Sequence, residues 1–437
     1  LWKDALFEMN RNKERISTLI NDRYPQLREL LQKTEPLPLS QIQSKLRKNV
    51  TIIDYLLSNN YNKGERILCT FIISKDNIEY IQAGVDSLFA KYAATIRKHG
   101  GEYTDNDFIS YTGALYYMYK NLIEPAESSF SGDRLIIIPD EEIAWLPFDA
   151  FLMQAIAPEQ QDYDNLPFMI IKYTISYGYS SSLIFESTGN RRRGEKVYAF
   201  LPDYSRDDSN GKNPELLGAG KEIESIFKWF RGKKFTGNMA TETAFRTAIR
   251  EPAIFHLAMH SVTDTLNSRY SWLAFDSEND TIEDGMLHNY EISLMRIRSP
   301  MVVLSACNSG TGTLYHGEGL MSMARSFILA GASSVVKTSW EVNDETSAGI
   351  IISFYHYLSR GMYKNKAMRK AKLDYLEVSP PAYSDPCYWA AYEVLGDNSP
   401  VRSRNMQTVI LIVAAAVLLG IIAYYFRRRS ILSARSE

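Results

Sequence analysis

The sequence predicts an α/β fold: a mostly parallel sheet covered on both faces by helices. Three observations lead there. Beyond Val197, short apolar runs alternate with longer amphipathic ones, the pattern of strands joined by crossover helices. Leu135–Ile138 (LIII), Ala253–Met259 (AIFHLAM) and Met301–Ala306 (MVVLSA) lack the polar alternation of a half-exposed strand, as burial between two helix layers requires. The chain has 437 residues, 45% apolar and 23% charged, which suits about two or three domains and excludes a disordered chain, a collagen and a disulfide scaffold.

Taken in order, residues 1–34 read as helix, with Leu6, Met9, Ile16, Leu19 and Ile20 at helical spacing until Pro36 and Pro38 stop it. A second amphipathic helix is expected over 41–57. Ile67–Ser74 reads as a strand, with 77–81 as its hairpin partner. Helices are expected over 83–98 and 106–128, the strand Leu135–Ile138 follows, and 144–152 packs nearby. Residues 173–185 read as a strand and a short helix. Residues 186–195 (ESTGNRRRGE) are charged, carry glycine and lack apolar periodicity, so they read as a linker between two halves. The second half alternates strand Val197–Leu201, helices 218–230 and 241–250, the strands at 253–259 and 301–306, helix 318–330, strand Ser334–Thr338, helices 344–359 and 364–377, and strand Tyr392–Leu395.

Met406–Phe426 stands apart, with 18 of 21 residues apolar and none charged. At 1.5 Å per residue it matches the roughly 30 Å hydrocarbon core, with Tyr424, Tyr425 and Phe426 as an aromatic belt and Arg427–Arg429 beyond. One C-terminal transmembrane helix is therefore expected, with 398–405 as linker and 427–437 as a basic tail. Arg427, Arg428, Arg429 and Arg435 follow the span, against Arg402 and Arg404 before it, which favours a cytoplasmic tail; a tail-anchored cytoplasmic protein is the alternative. The net charge of −2 gives no basic field for nucleic acid. Three cysteines, Cys69, Cys307 and Cys387, leave at least one thiol unpaired.

In parallel sheets, sites form beyond the carboxyl ends of the strands. His260 follows one buried run and Cys307 another. Side by side, they pair a nucleophile with a base, and a nearby imidazolium lowers a thiol pKa. The backbone N–H groups of Ser261 and Cys307 are candidate oxyanion donors. A cysteine or histidine at a strand end also serves as a plain structural residue, so placement alone leaves both readings open. Other constellations fail. His256 and His260 lie on a strand, too far apart for one metal. Gly218-Ala219-Gly220-Lys221 lacks the P-loop's first glycine, where Glu215 stands, and its Ser/Thr, where Glu222 stands. Tyr315 occupies the third glycine position of a dinucleotide fingerprint begun by Gly310 and Gly312.

Several segments agree, in order, with one family. They are Leu135–Asp140 (LIIIPD) with Leu146-Pro147-Phe148, Tyr177–Ser181 (YGYSS), His256–Ser261 (HLAMHS), Leu304–Gly310 (LSACNSG), Gly317–Leu320 (GEGL) with Ser339–Asp344 (SWEVND), and Asp385–Asp397 (DPCYWAAYEVLGD). From about residue 40 to Asp397 the chain resembles the CHAT domain, a caspase- and separase-like cysteine peptidase fold of clan CD. The resemblance implies a catalytic dyad of His260 and Cys307. It implies a caspase-like half over 191–397, preceded by a degenerate protease-like half over 37–190, and upstream helical repeats of which 1–36 would be the end. It implies a protein or peptide substrate, a regulatory partner of the repeats and no cofactor. Asp344 is the candidate to receive a basic substrate side chain, or equally a helix cap. Ser261 stands where the family usually has Gly, and Asn308 where it usually has Glu. If the Ser261 position needs positive φ, the side chain costs about 1 kcal/mol. The expected function is a membrane-anchored cysteine endopeptidase, the alternative a non-catalytic scaffold at the membrane.

Overall fold

A computed structural model describes residues 11, 36–60, 65–101, 108–157, 159–186, 195–204, 217–264, 267–305, 312–315, 319–342 and 344–402. In chain order its strands are β1 (Val50–Asn60), β2 (Glu65–Ile73), β3 (Ile78–Val85), β4 (Arg134–Ile138), β5 (Thr174–Tyr177), β6 (Lys196–Leu201), β7 (Arg231–Thr236), β8 (Ile254–Leu257), β9 (Ser261–Val262), β10 (Trp272–Ala274), β11 (Met286–His288), β12 (Val302–Leu304), β13 (Gly312–Tyr315), β14 (Gly319–Ser322), β15 (Ser334–Thr338) and β16 (Tyr392–Gly396).

Eleven of these form one sheet in the order β3-β2-β1-β4-β5-β16-β15-β12-β8-β6-β7. The expected fold class is corrected here: the sheet is mixed. β2 and β3 run antiparallel because a short turn at Ser74–Asn77, closed by Ser74 N–H to Asn77 O at 2.9 Å, can only reverse the chain, and β1 also pairs antiparallel with β2. β1, β4, β5 and β16 are parallel neighbours. β16 then meets β15 antiparallel, and β15, β12, β8, β6 and β7 continue in parallel.

Both faces are buried, which explains the unbroken apolar runs. Ile254, Val303 and Val336 point into the core beneath the helices Asp344–Ser359 and Lys364–Val378. Phe255, Leu257, Val302 and Leu304 point to the opposite face, with Phe245 of helix Glu242–Ala248 and Phe327 of helix Met323–Leu329. The helices Ser87–Gly101 and Phe108–Met118 cover Ile53, Tyr55, Leu135 and Ile137.

The expected helix over 41–57 is instead a short helix, Leu39–Lys45, followed by β1. The β-branched run Val50-Thr51-Ile52-Ile53 fits a central strand, and Ile52 and Ile53 are both fully buried, one on each face. The helix expected from 318 begins at Met323, because Gly319–Ser322 pairs with Gly312–Tyr315 as a hairpin. β7 (RGKKFT) escaped the apolar pattern because it is an edge strand, and its first half is exposed.

The membrane span expected over 406–426 is also corrected. No helix among the described residues is long and apolar enough to cross a membrane, and 406–426 itself lies outside them. The single-pass localisation, its orientation and the membrane as a partner therefore have no support. The expected helical stub at 1–36 lies almost wholly outside the described residues.

Gly396 closes β16 with φ +85°, and a Cβ there would stand 2.6 Å from Ser333 O. Gly396→Ala is expected to destabilise the fold by about 2 kcal/mol, from left-handed strain plus the backbone clash, as urea denaturation would show.

Candidate active site

β8 and β12 are parallel neighbours with Leu257 opposite Leu304. His260 lies three residues past Leu257, and Cys307 three residues past Leu304. The two chains leave the sheet together: Ala258 N–H donates to Phe200 O at 3.0 Å and Ser305 N–H to Leu257 O at 2.9 Å. Residues 306–311, including Cys307, lie outside the described residues. Cys69 and Cys387 are described and free, and burial pushes the Cys387 thiol well up, away from thiolate character.

His260 is held by its backbone. Its N–H donates to the Tyr204 hydroxyl at 3.1 Å, and its carbonyl accepts from Ala274 N–H at 3.0 Å. The Tyr204 hydroxyl donates in turn to Ala274 O at 2.6 Å, and its ring packs 4.5 Å from the imidazole. Burial pushes the Tyr204 phenol up, so it keeps the proton it donates. Sequence reasoning missed Tyr204. Its signal was position: it stands just past β6, the strand beside β8.

Ser261 begins β9, opposite Leu273 of β10. The ladder bond beside this pair runs from Ala274 N–H to His260 O, so the Ser261 amide faces away from β10. Ser261 is not among the positive-φ residues, so the strain considered for a serine here does not arise. Asp344 opens the helix Asp344–Ser359; its side chain lies outside the described atoms.

Beneath the strand ends lies a buried polar cluster. Ser305 Oγ donates to Glu222 Oε2 at 2.9 Å, His256 Nε2 lies 3.2 Å from the same oxygen, and Tyr355 Oη lies 3.3 Å from His256 Nδ1. His256 is therefore committed inside β8. Glu222, which spoils a P-loop, instead anchors the exit of β12. Among the described residues no group of His, Cys, Asp and Glu is arranged to hold a metal.

A second strand-end cavity, of about 290 Å³, opens past β4 and β5, lined by Asp54, Asp140, Tyr179, Arg325, Lys337 and Glu393 among others. Burial raises the Asp54 carboxyl to about 6 from 3.8, against a lowering bond from Ser181, and the Asp140 charge adds to the rise. A carboxyl raised on folding stabilises the fold at low pH and loses that contribution as pH climbs through its folded pKa. Stability is expected to fall between about pH 4 and 6, and Asp54→Asn to flatten that slope in denaturation curves taken across the range.

Comparison with known proteins gives three findings. A family model for the CHAT domain matches residues 113–397. Tetratricopeptide repeat protein 28 of Mus musculus is 28% identical over 332 residues, covering 66% of this chain; the chain spans only 13% of that relative. Among solved structures, the Saccharomyces cerevisiae separase–securin complex aligns with a TM-score of 0.47 and 10% identity over 82% of this chain and 30% of that one. The pro- and mature domains of Porphyromonas gingivalis RgpB align at 0.42 and 11% over 71% and 77%. The CHAT family match covers more than half of the chain. The expected membrane-anchored endopeptidase is cut back to that family match. The described residues contain no catalytic Cys–His pair, because Cys307 falls outside them, and no membrane helix.

Proposed function

The chain belongs to the CHAT domain family, and from that premise we propose that it is a cysteine-type peptidase in which Cys307 is the nucleophile and His260 the general acid–base. One observation supports the reading: β8 and β12 are parallel neighbours in shared register, and in the sequence His260 stands three residues past the end of one and Cys307 three residues past the end of the other.

In this mechanism His260 takes the Cys307 thiol proton, and the thiolate adds to a peptide carbonyl. The backbone N–H groups of Ser261 and Cys307 hold the oxyanion. The amine leaves with the proton returned by His260, giving a thioester. His260 then deprotonates water, which attacks the thioester, and the carboxylic acid departs as the thiol is restored. Tyr204 is a positioning residue, fixing the backbone that carries the imidazole. Asp344 is assigned to a basic side chain preceding the cleaved bond.

The test is covalent labelling by peptidyl acyloxymethyl ketones, with Arg or Glu before the reactive carbon, read by intact mass and peptide mapping. The expected result is one adduct on Cys307, formed faster with Arg and absent in Cys307→Ala. Folded protein that stays unlabelled at Cys307 by either reagent would overturn the proposal.

A further inference from the structure

The amino-terminal ends of the parallel strands carry a different chemistry. A cavity of about 600 Å³ opens there, with Lys45, Arg47, Arg134, Tyr363 and Asp397 among its lining. Arg134 is the first residue of β4, and the Arg47 and Arg134 guanidinium carbons lie 4.6 and 4.5 Å from the centre of the Tyr363 ring. Arg47 also bonds the Tyr363 hydroxyl.

Arg134 is the anomaly. It is only 6% exposed, its Nε has no hydrogen-bond partner, and no described carboxylate forms an ion pair with it. Burial, then the Arg47 charge beside it, lowers its pKa, against smaller raising effects of Tyr363 and of the Asp133 charge. A buried charge without a partner is costly, and the usual compensation is an opposite charge. The lining supplies little of that. Lys45 Nζ donates to Phe185 O at 3.2 Å, and Asp397, the one lining carboxylate, already accepts from Ser399 N–H at 3.0 Å. Three cations against one carboxylate leave a net charge of +2 on the walls.

We propose that this cavity binds a phosphomonoester, with Arg47 and Arg134 forked on the phosphate and the apolar walls at Ile136 and Ile184 receiving the organic remainder. The charge selects the class. A phosphomonoester carries about −1.5 to −2 near neutral pH and matches the walls, whereas a carboxylate answers half of them. A guanidinium presents paired donors in the geometry of phosphate oxygens, and stacking on Tyr363 fixes both forks before the ligand arrives. The volume lies within the roughly 300–1,000 Å³ of small-molecule sites. The site shares no residue with the proposed dyad, so it stands or falls separately.

The experiment measures binding of phenyl phosphate and of benzoate to the whole chain, by calorimetry and by thermal shift. Phenyl phosphate is expected to bind saturably, at least about tenfold more tightly than benzoate, and to lose about tenfold or more in Arg134→Met and in Arg47→Ala. Arg134→Met removes an unpaired buried charge, so without ligand it is expected to melt no lower than the parent. Arg47 is exposed, so Arg47→Ala decides the matter if the other variant folds poorly. Vesicles with and without phosphatidic acid present the same group on a lipid, and binding that phenyl phosphate displaces supports the same site. Absence of saturable binding, equal binding of benzoate, or affinity unchanged in both variants would each overturn the proposal.

Discussion

His260→Ala lowers peptide turnover by about 10²–10⁴-fold, the range for removing a general acid–base, while leaving the fold nearly intact. The separation follows from how the residue is held. The bonds to Tyr204 and Ala274 use the main-chain N–H and carbonyl of His260, which alanine retains. The ring packing against Tyr204 is lost, and the unfolding free energy is expected to change by about 1 kcal/mol. A fluorogenic peptide ending in Arg measures turnover, and a denaturant curve supplies the control. Turnover unchanged in a folded variant would remove His260 from the chemistry.

Lys372→Met destabilises the fold by about 3–5 kcal/mol, the cost of leaving a buried charge unpaired. Lys372 Nζ lies 2.6 Å from Asp149 Oδ2, with the two side chains 0% and 10% exposed. The same ammonium reaches Ala390 O at 3.4 Å. Methionine fills much the same volume, so the loss isolates the stranded Asp149 carboxylate. The double variant Lys372→Met/Asp149→Leu is expected to recover most of the stability, since an apolar pair in that space replaces a buried ion pair at little cost. Urea denaturation of the four proteins in the cycle checks both halves of the statement.

Much of the fold was legible because burial on both faces leaves a continuous apolar trace. β4, β8 and β12 could be read from Leu135–Ile138, Ala253–Met259 and Met301–Ala306, and position at their ends singled out His260. What periodicity missed has physical causes. β1 carries Asp54 and Tyr55 within its run, so its spacing mimicked a helix until β2 and β4 were placed on either side. β7 needs no apolar face at a sheet edge. Tyr204, Glu222 and Ser305 gave no motif because their role arises from partners 56 to 83 residues away in the chain. The two guanidiniums on Tyr363 are further removed still, since Arg47 and Tyr363 are 316 residues apart.

β16 follows every other described strand in the chain, yet it lies sixth of eleven in the sheet, between β5 and β15. During synthesis the ribosome therefore delivers the middle of this sheet after both flanks. Until residues 392–396 emerge, β5 and β15 each present an open hydrogen-bonding edge, and such edges invite pairing with other chains. Closing the gap joins segments more than 200 residues apart, from Tyr177 to Leu395, a topology that folds slowly. A nascent chain arrested before β16 should be the form most dependent on chaperones.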